Sequence, residues 1–172
     1  MKRFCAGLLV FCLFMMCGCS GSGGQKPIMY VVDGAYNLTP QEFIDQINQR
    51  AAAQTDGEYM TIPAFEKSGE KIEISRGLDL EIEANEEGQT TKIEYSWIGQ
   101  YSDAVKNVGF FMGVTFGLLT NEKDGNAVIK ELNMMDPEQS GYDSFSNCNG
   151  STFWYSSVEN AKYNFLTISP DT

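Results

Sequence analysis

Five acidic side chains recur at alternate positions along neighbouring segments, and they are the residues of this sequence best suited to chemistry. They are Glu73, Asp79, Glu81, Glu83 and Glu94. On one face of a sheet, such a set can attract a basic protein partner or bind Ca²⁺ weakly. Paired carboxylates can also hydrolyse glycosides, but an exposed sheet lacks the burial that raises the pKa of a general acid. The pattern therefore favours a docking face or a solvated acidic surface over a catalytic site.

The sequence contains no histidine. This excludes a catalytic triad with an imidazole base and removes the commonest general base near neutral pH. No phosphate-binding loop, dinucleotide-binding glycine motif, nucleophile elbow or CxxC pair is present in the sequence. Beyond residue 19 the chain has one cysteine, Cys148, so we expect neither a zinc site nor an intramolecular disulfide. We therefore predict that the protein is not an enzyme and holds no metal or cofactor.

Two tryptophans, Trp97 and Trp154, lie among several tyrosines in segments of strand-like composition. Exposed aromatic rings can contact a small ligand or a sugar, with polar groups nearby setting its orientation. Aromatic residues at strand spacing are also typical of a core. A small-ligand or carbohydrate site at the two tryptophans is therefore an alternative to a protein-docking face.

The acidic residues are positioned by a predicted antiparallel meander over residues 60–97. Apolar residues occupy even positions before a turn at residues 87–88 and odd positions after it, which is the alternation of half-buried strands. Three-residue turns ending at Gly69 and Gly77 preserve parity, and a two-residue turn at 87–88 reverses it. The resulting register has these facing pairs: Ile62–Ile74, Ile74–Leu78, Leu78–Trp97, Leu80–Tyr95, Ile82–Ile93, Glu73–Asp79 and Glu81–Glu94, with Lys71 beside Glu81 and Lys92 beside Glu83. One long strand from Glu70 to Glu86, kinked at Gly77, is the alternative because it has the same parity.

Two regions flanking the meander are predicted to be helical. Thr39-Pro40-Gln41-Glu42 is a capping box with proline at the first helical position, so a helix begins there. After Ser102, a predicted N-cap, Gly109, Gly113 and Gly117 recur every four residues within an apolar segment. This stripe indicates a buried helix lying close on the sheet, with a helix dimerisation face or a pair of buried strands as alternatives.

The C-terminal part is predicted to add one helix and a hairpin. Residues 128–135 have helical spacing, and Pro137 ends that helix. Residues 136–151 are polar and are predicted to be a loop. Phe153–Val158 and Tyr163–Ile168 are predicted to be interior strands, because both of their faces carry apolar residues. We find no internal repeat in the sequence.

The N-terminal residues are typical of an export signal. Lys2 and Arg3 precede an apolar run that is too short to span a bilayer and that ends at Met16-Cys17-Gly18-Cys19. This segment resembles the signal of bacterial lipoproteins. The resemblance implies that residues 1–18 are removed, that Cys19 carries lipid, and that the protein lies in the cell envelope, anchored to a membrane outside the cytoplasm. An ordinary secreted protein or an uncleaved helix is the alternative.

Composition limits the partners of the remaining chain. Its net charge is −11, and loss of Lys2 and Arg3 would leave ten basic and 23 acidic residues, or −13. Such a charge argues against nucleic acid and anionic lipid surfaces and favours a basic partner. Residues 19–26 are predicted to be a lipidated N-terminus and flexible Gly/Ser tether.

Residues 27–172 are predicted to form a single α+β domain. We expect an antiparallel meander sheet of five or six strands, covered on one face by the N-terminal helix and a helical pair. The predicted function is that of a membrane-anchored, non-catalytic envelope lipoprotein that binds a protein partner or supports an envelope assembly. An inhibitor or immunity-type protein that uses its acidic face is a further alternative.

Overall fold

The computed structural model describes residues 27–171, with gaps at 56–60, 121, 135–141 and 159–161. The elements are β1 (Val31–Val32), β2 (Ala35–Tyr36), α1 (Pro40–Thr55), β3 (Lys71–Ser75), β4 (Leu78–Ala84), β5 (Thr90–Ile98), α2 (Ser102–Leu119), α3 (Glu122–Leu132), β6 (Tyr142–Cys148), β7 (Ser151–Val158) and β8 (Tyr163–Pro170). The prediction of a single α+β domain with an antiparallel sheet is confirmed.

The main sheet has six strands in the order β3-β4-β5-β8-β7-β6, and every neighbouring pair is antiparallel. It consists of two three-stranded meanders, each preceded by helix, whose third strands β5 and β8 pair at the centre. The connectivity of one half therefore repeats that of the other, although the sequence shows no repeat. A separate hairpin of β1 and β2 lies near one end of the sheet.

The predicted register between β4 and β5 is confirmed. Leu78 faces Trp97, Leu80 faces Tyr95, and Ile82 faces Ile93. Glu73 faces Asp79 and Lys71 faces Glu81, as expected, so β3 and β4 form a hairpin and not one long bent strand. The parity rule therefore predicts these pairs correctly, but the predicted two-residue turn is wrong. The Asn85 N–H donates to the Gln89 carbonyl at 3.0 Å, which closes a three-residue turn over residues 86–88, and a register shift between Glu83 and Ala84 restores the expected pairing.

Two predicted pairs are wrong. Ser75, and not Ile74, lies opposite Leu78, because the ladder shifts register between Glu73 and Ser75. Residues 61–66 form no strand, so Ile62 has no partner in the sheet. Its backbone is bound instead by the Asn48 side chain, which donates to the Ile62 carbonyl at 2.9 Å and accepts from its N–H at 2.8 Å. The amide thus replaces the strand partner that backbone groups require when partly buried.

Helix α1 begins as its capping box predicts. The Thr39 N–H donates to Glu42 Oε2 at 2.8 Å, and the Glu42 N–H donates to Thr39 Oγ1 at 3.3 Å. The helix then buries Phe43, Ile44 and Ile47 completely in the core. The apolar stripe holds the helix on the sheet, and the reciprocal cap supplies partners for two backbone donors at its N-terminus.

Helix α2 is the most buried helix, but its start and its glycines differ from expectation. Tyr101 occupies the N-cap position with no side-chain capping bond, so Ser102 is not the cap. A Cβ added at Gly109 would meet nothing within 4 Å, and one at Gly117 would have Arg50 Nη1 at 4.0 Å as its nearest neighbour. Gly109 and Gly117, for which the sequence predicts close packing on the sheet, therefore have space beside them. Within the described ranges, no helix has the length and apolar character needed to cross a membrane.

Strand β6 lies in a segment that was predicted to be a loop. Its buried positions include Ser144 and Ser146, so they lack the apolar residues that normally reveal a strand. Ser144 Oγ donates to the Leu132 carbonyl at 2.7 Å, and Ser146 Oγ donates to Glu131 Oε2 at 2.6 Å. These bonds attach β6 to α3. Met135 and Pro137, predicted to close α3, lie outside the described residues.

Candidate functional site

The six-stranded sheet has one face covered by helices and one face that the described helices leave uncovered, which we call the open face. The core is built from alternate strand residues, such as Leu80, Tyr95 and Leu166, all fully buried. The intervening residues point the other way, because successive side chains of a strand alternate between faces. All five predicted acidic residues lie on the open face.

The acidic half of the open face, formed by β3, β4 and β5, is organised around Lys92. Lys92 Nζ lies 2.7 Å from Glu83 Oε1, 3.4 Å from Glu81 Oε1 and 3.7 Å from Glu94 Oε2. Glu94 also accepts a hydrogen bond of 3.1 Å from Thr167 Oγ1 on β8. One ammonium group thus lies within 4 Å of three carboxylates. Its single positive charge cannot neutralise all three, so the cluster keeps excess negative charge.

Electrostatics follow this arrangement at two positions. Desolvation lowers the pKa of Lys92, but its hydrogen bond to Glu83 and the charges of Glu94, Glu83 and Glu81 outweigh that effect, so the pKa is raised. Partial burial raises the pKa of Asp79; Lys71 opposes that change and Glu73 reinforces it. Lys92 therefore keeps its charge to a higher pH than it would in a free peptide. Asp79 becomes protonated at a higher pH than it would in a free peptide.

The carboxylates of the acidic half are exposed enough to attract a basic group, but they lack the burial that a general acid needs. None of its five carboxylates is fully buried: Glu81 and Glu94 retain 20% and 21% side-chain exposure, and Glu83 retains 44%. A general acid needs a desolvated carboxyl group beside its partner. Among the described residues, no group of three or more acidic or cysteine side chains is placed to hold a metal ion.

The other half of the open face, formed by β6, β7 and β8, carries an exposed aromatic pair. Phe145 on β6 faces Trp154 on β7, and their ring centroids are 5.9 Å apart with planes only 5° from parallel. Phe145 is 63% exposed and Trp154 39% exposed. The Trp154 indole N–H donates to Asp143 Oδ1 at 3.2 Å, which fixes the ring. The sequence does not identify Phe145 as a site residue, because it predicts a loop where β6 lies.

Trp97 does not belong to this aromatic pair. It lies on the helix-covered face, is 9% exposed, and stacks on Tyr155 with centroids 6.0 Å apart. Trp154 lies on the opposite face. The two tryptophans predicted as joint ligand contacts are therefore separated by the thickness of the sheet, and Trp97 is a core residue.

Two further features are less suited to binding. A shallow cavity of about 180 Å³ lies between residues 63–67 and β3, and neither tryptophan lines it. Cys148 is a half-buried free thiol whose pKa is raised by desolvation first and then by Asp124, Glu131 and Asp171. A thiol held in its protonated form is a poor nucleophile and a poor metal ligand.

No protein-family model, curated protein or solved structure matches this chain. Cys19, the predicted lipid site, lies outside the described residues. Functional inference therefore depends on the two halves of the open face and on the N-terminal sequence.

Proposed function

We propose that this chain is a lipid-anchored envelope protein that binds a basic protein partner through the acidic half of its open face. The observation that carries the proposal is the placement of Glu73, Asp79, Glu81, Glu83 and Glu94 on one face that the described helices leave uncovered. Clustered surface charge of one sign steers a partner of the opposite sign and selects against others.

The cluster destabilises the sheet through repulsion between like charges, and this energetic cost supports a binding role. Glu81 faces Glu94 and Glu73 faces Asp79, and like charges directly opposite each other destabilise a sheet. Lys92 neutralises only part of this charge. A basic partner would relieve the remaining repulsion. If the partner were an enzyme with a basic active site, the same face would act as an inhibitor or immunity surface.

The membrane part of the proposal is supported by Met16-Cys17-Gly18-Cys19 and the Gly/Ser stretch that follows. A diacylglycerol group supplies two acyl chains, and two chains anchor a protein stably where one would be marginal. The chain would then act at a membrane surface outside the cytoplasm, with its domain held on a flexible tether.

The experiment is capture of envelope proteins on the chain with Cys19 replaced by serine, at low and high salt. The test variant combines Glu81→Gln, Glu83→Gln and Glu94→Gln, which removes charge and keeps side-chain size. The matched control combines Glu66→Gln, Glu86→Gln and Glu87→Gln, three exposed acids outside the strands of the open face. We expect a specific partner that is lost at high salt and with the test variant but kept by the control. Equal capture by both variants would refute the proposed face.

A small-ligand or carbohydrate site is the second candidate, and the Phe145–Trp154 pair favours it. Two exposed, nearly parallel rings beside the Asp143 carboxylate can combine apolar contact with a hydrogen-bond acceptor. A thermal-shift and tryptophan-fluorescence screen with oligosaccharides tests this candidate. Its positive result is a shift that Phe145→Ser abolishes and that the neutralised acidic variant retains.

A further inference from the structure

The segment that joins the tether to the domain is apolar at every position from Ile28 to Val32 and is exposed at alternate ones. Ile28, Tyr30 and Val32 are 41%, 50% and 40% exposed, whereas Met29 is fully buried. They make up three of the eight exposed large hydrophobic residues found in the described ranges. Single exposed apolar residues are ordinary, but such a concentration within five positions indicates a contact surface.

This apolar surface is held rigidly. The N–H groups of Ile28 and Met29 both donate to the Leu118 carbonyl at 3.0 Å, which attaches the segment to the C-terminal end of α2. The Asn37 side chain donates to the Ile28 carbonyl at 3.1 Å and accepts from the Tyr30 N–H at 2.8 Å. The Asn37 N–H also donates to the Tyr30 carbonyl at 3.0 Å. The exposed side chains are therefore displayed on a fixed backbone and do not belong to a frayed terminus.

The segment lies at one end of the sheet, which we call the Ser151 end. Tyr36 Oη, on the same hairpin, donates to Ser151 Oγ at 3.1 Å, and the Thr90 N–H donates to the Leu38 carbonyl at 3.1 Å. Strands β5 and β7 begin at this end, and β8 ends there, because Ser151 pairs with Pro170. The tether therefore enters the domain at one end of the strands, and the rest of the sheet extends from that end.

We infer that Ile28, Tyr30 and Val32 lie in the interfacial region of the bilayer that carries the lipid on Cys19, and so orient the domain. This inference rests on the proposed lipid anchor. Eight residue steps separate Cys19 from Pro27. They span at most about 28 Å when extended and about 16 Å as a flexible coil. The apolar segment is therefore always within reach of the membrane surface.

Because of the tether, even a weak contact between the apolar segment and the bilayer is sufficient to orient the domain. Once the lipid is inserted, the apolar segment meets the bilayer at a high effective concentration, so three side chains need not bind on their own. Tyrosine is enriched at membrane interfaces, where its ring is apolar and its hydroxyl remains hydrated. Asp33, at the tip of the hairpin, and the acidic domain argue for neutral headgroups and not for an anionic surface.

An orientation follows from this contact. With the Ser151 end at the membrane, the strands extend from the membrane surface into the solvent. The bilayer then contacts the end of the sheet and does not cover the open face. Both halves of the open face then remain accessible to a partner in the envelope.

The test is fluorescence quenching by nitroxide-labelled phosphatidylcholine in vesicles that contain the full lipidated protein. Tyr30→Trp is compared with Val105→Trp, both in a Trp154→Phe background. Val105 is a matched control, because it is 41% exposed and lies near the N-terminus of α2, at the far end of that helix from Leu118. We expect quenching several-fold stronger at position 30 than at position 105, and weaker quenching when Ile28→Ser and Val32→Ser are added.

The outcomes separate the two proposals. Lipid on Cys19, shown by mass spectrometry, with equal quenching at positions 30 and 105 would overturn the inferred orientation and leave the anchor standing. Absence of lipid on Cys19 in exported protein would overturn the anchor and this inference together. Strong quenching confined to position 30 would support both.

Discussion

Glu81 and Glu94 face each other directly across β4 and β5, and the same lysine lies within 4 Å of both. Lys92 Nζ is 3.4 Å from Glu81 and 3.7 Å from Glu94, and it is closest to Glu83 at 2.7 Å. The acidic half of the open face is thus an arrangement in which one cation stabilises three anions. Lys92 thus offsets part of the repulsion among the three carboxylates and leaves the face with excess negative charge.

Replacing Lys92 by methionine should destabilise the domain, because Glu81, Glu83 and Glu94 would lose their shared cation. Partly exposed ion pairs contribute little individually, so we expect a loss of about 1 kcal/mol in the free energy of unfolding. The loss should shrink at about 1 M salt, where charges are screened over roughly 3 Å. Urea unfolding at both salt concentrations measures it. Lys71→Met, which replaces an exposed lysine of β3, is the control and should cost less.

Asp79 should behave as a carboxylate whose charge is unfavourable in the folded state. Burial raises its pKa, and Glu73 directly opposite adds to this. Because the folded state raises the pKa of Asp79, folding favours the protonated carboxyl group. The stability that the protonated group contributes is present below the unfolded pKa and is lost as the pH rises through the folded pKa.

We therefore expect Asp79→Asn to stabilise the domain at pH 7 by roughly 0.2–1 kcal/mol. The advantage over the native residue should vanish near pH 3, where the native carboxyl is also neutral. Urea unfolding at the two pH values provides the comparison. An equal gain at both would show that charge is not the cause. Glu73→Gln, at the exposed partner of the pair, is the control and should gain less from relief of desolvation.

The buried hydroxyl pair of Tyr95 and Thr115 should respond unequally to removal of either partner. The two oxygens are 2.9 Å apart, and Thr115 Oγ1 donates onward to the Phe111 carbonyl, so Tyr95 is the donor in the pair. Tyr95→Phe leaves Thr115 with its carbonyl partner and should cost about 1 kcal/mol. Thr115→Val leaves a fully buried phenol hydroxyl without a partner and should cost about 2 kcal/mol. Thermal and urea unfolding measure the order, and the reverse order would contradict this hydrogen-bond direction.

The same pair predicts an alkaline limit to stability. Desolvation raises the Tyr95 pKa well above its usual value, and the hydrogen bond to Thr115 only partly opposes this. The resulting stabilisation is present below about pH 10, the pKa of an unfolded tyrosine, and is lost as the pH rises further. Tyrosine absorbance during a pH titration should therefore show Tyr95 ionising only as the protein unfolds.

Gly77 should tolerate alanine less well than Gly88. Both residues have positive φ, +78° and +81°, so an alanine at either site has the same backbone penalty of about 1 kcal/mol. A Cβ at Gly77 would also overlap the Tyr101 ring, whereas one at Gly88 meets nothing within 4 Å. We expect Gly77→Ala to cost at least about 1 kcal/mol more than Gly88→Ala. Equal destabilisation in urea would show that Tyr101 moves away without cost.

The parity of the apolar residues was sufficient to predict the acidic face, because the alternation of side chains along a strand is a local property of the chain. The observed three-residue turn at 86–88 places Ala84 opposite Thr90, and the register shift between Glu83 and Ala84 then gives the pairing that parity predicts, with Ile93 opposite Ile82 and Glu94 opposite Glu81. The same register already assigned Trp97 to the apolar face beside Leu78. The sequence pattern therefore predicts the burial of Trp97 and argues against Trp97 as a ligand contact.

The aromatic half of the open face could not be predicted in the same way. Phe153, Trp154 and Tyr155 are consecutive aromatics, so hydrophobicity alone does not show which of them points outward. The buried side of β6 carries Ser144 and Ser146, whose hydroxyls are satisfied by α3 through long-range hydrogen bonds. Since that pairing depends on tertiary structure, no local pattern marks β6 as a strand or Phe145 as an exposed partner of Trp154.

The most direct test of the central claim is photo-crosslinking in cells that produce the full chain. A photoreactive amino acid replaces Ser96, which lies on the open face between Asp79 and Phe165. The control position is Asn126, an exposed residue of α3 on the covered side of the sheet. Our account predicts a specific crosslink to a basic envelope protein from position 96 and none from position 126. The same protein crosslinked from position 126 and not from position 96 would contradict it.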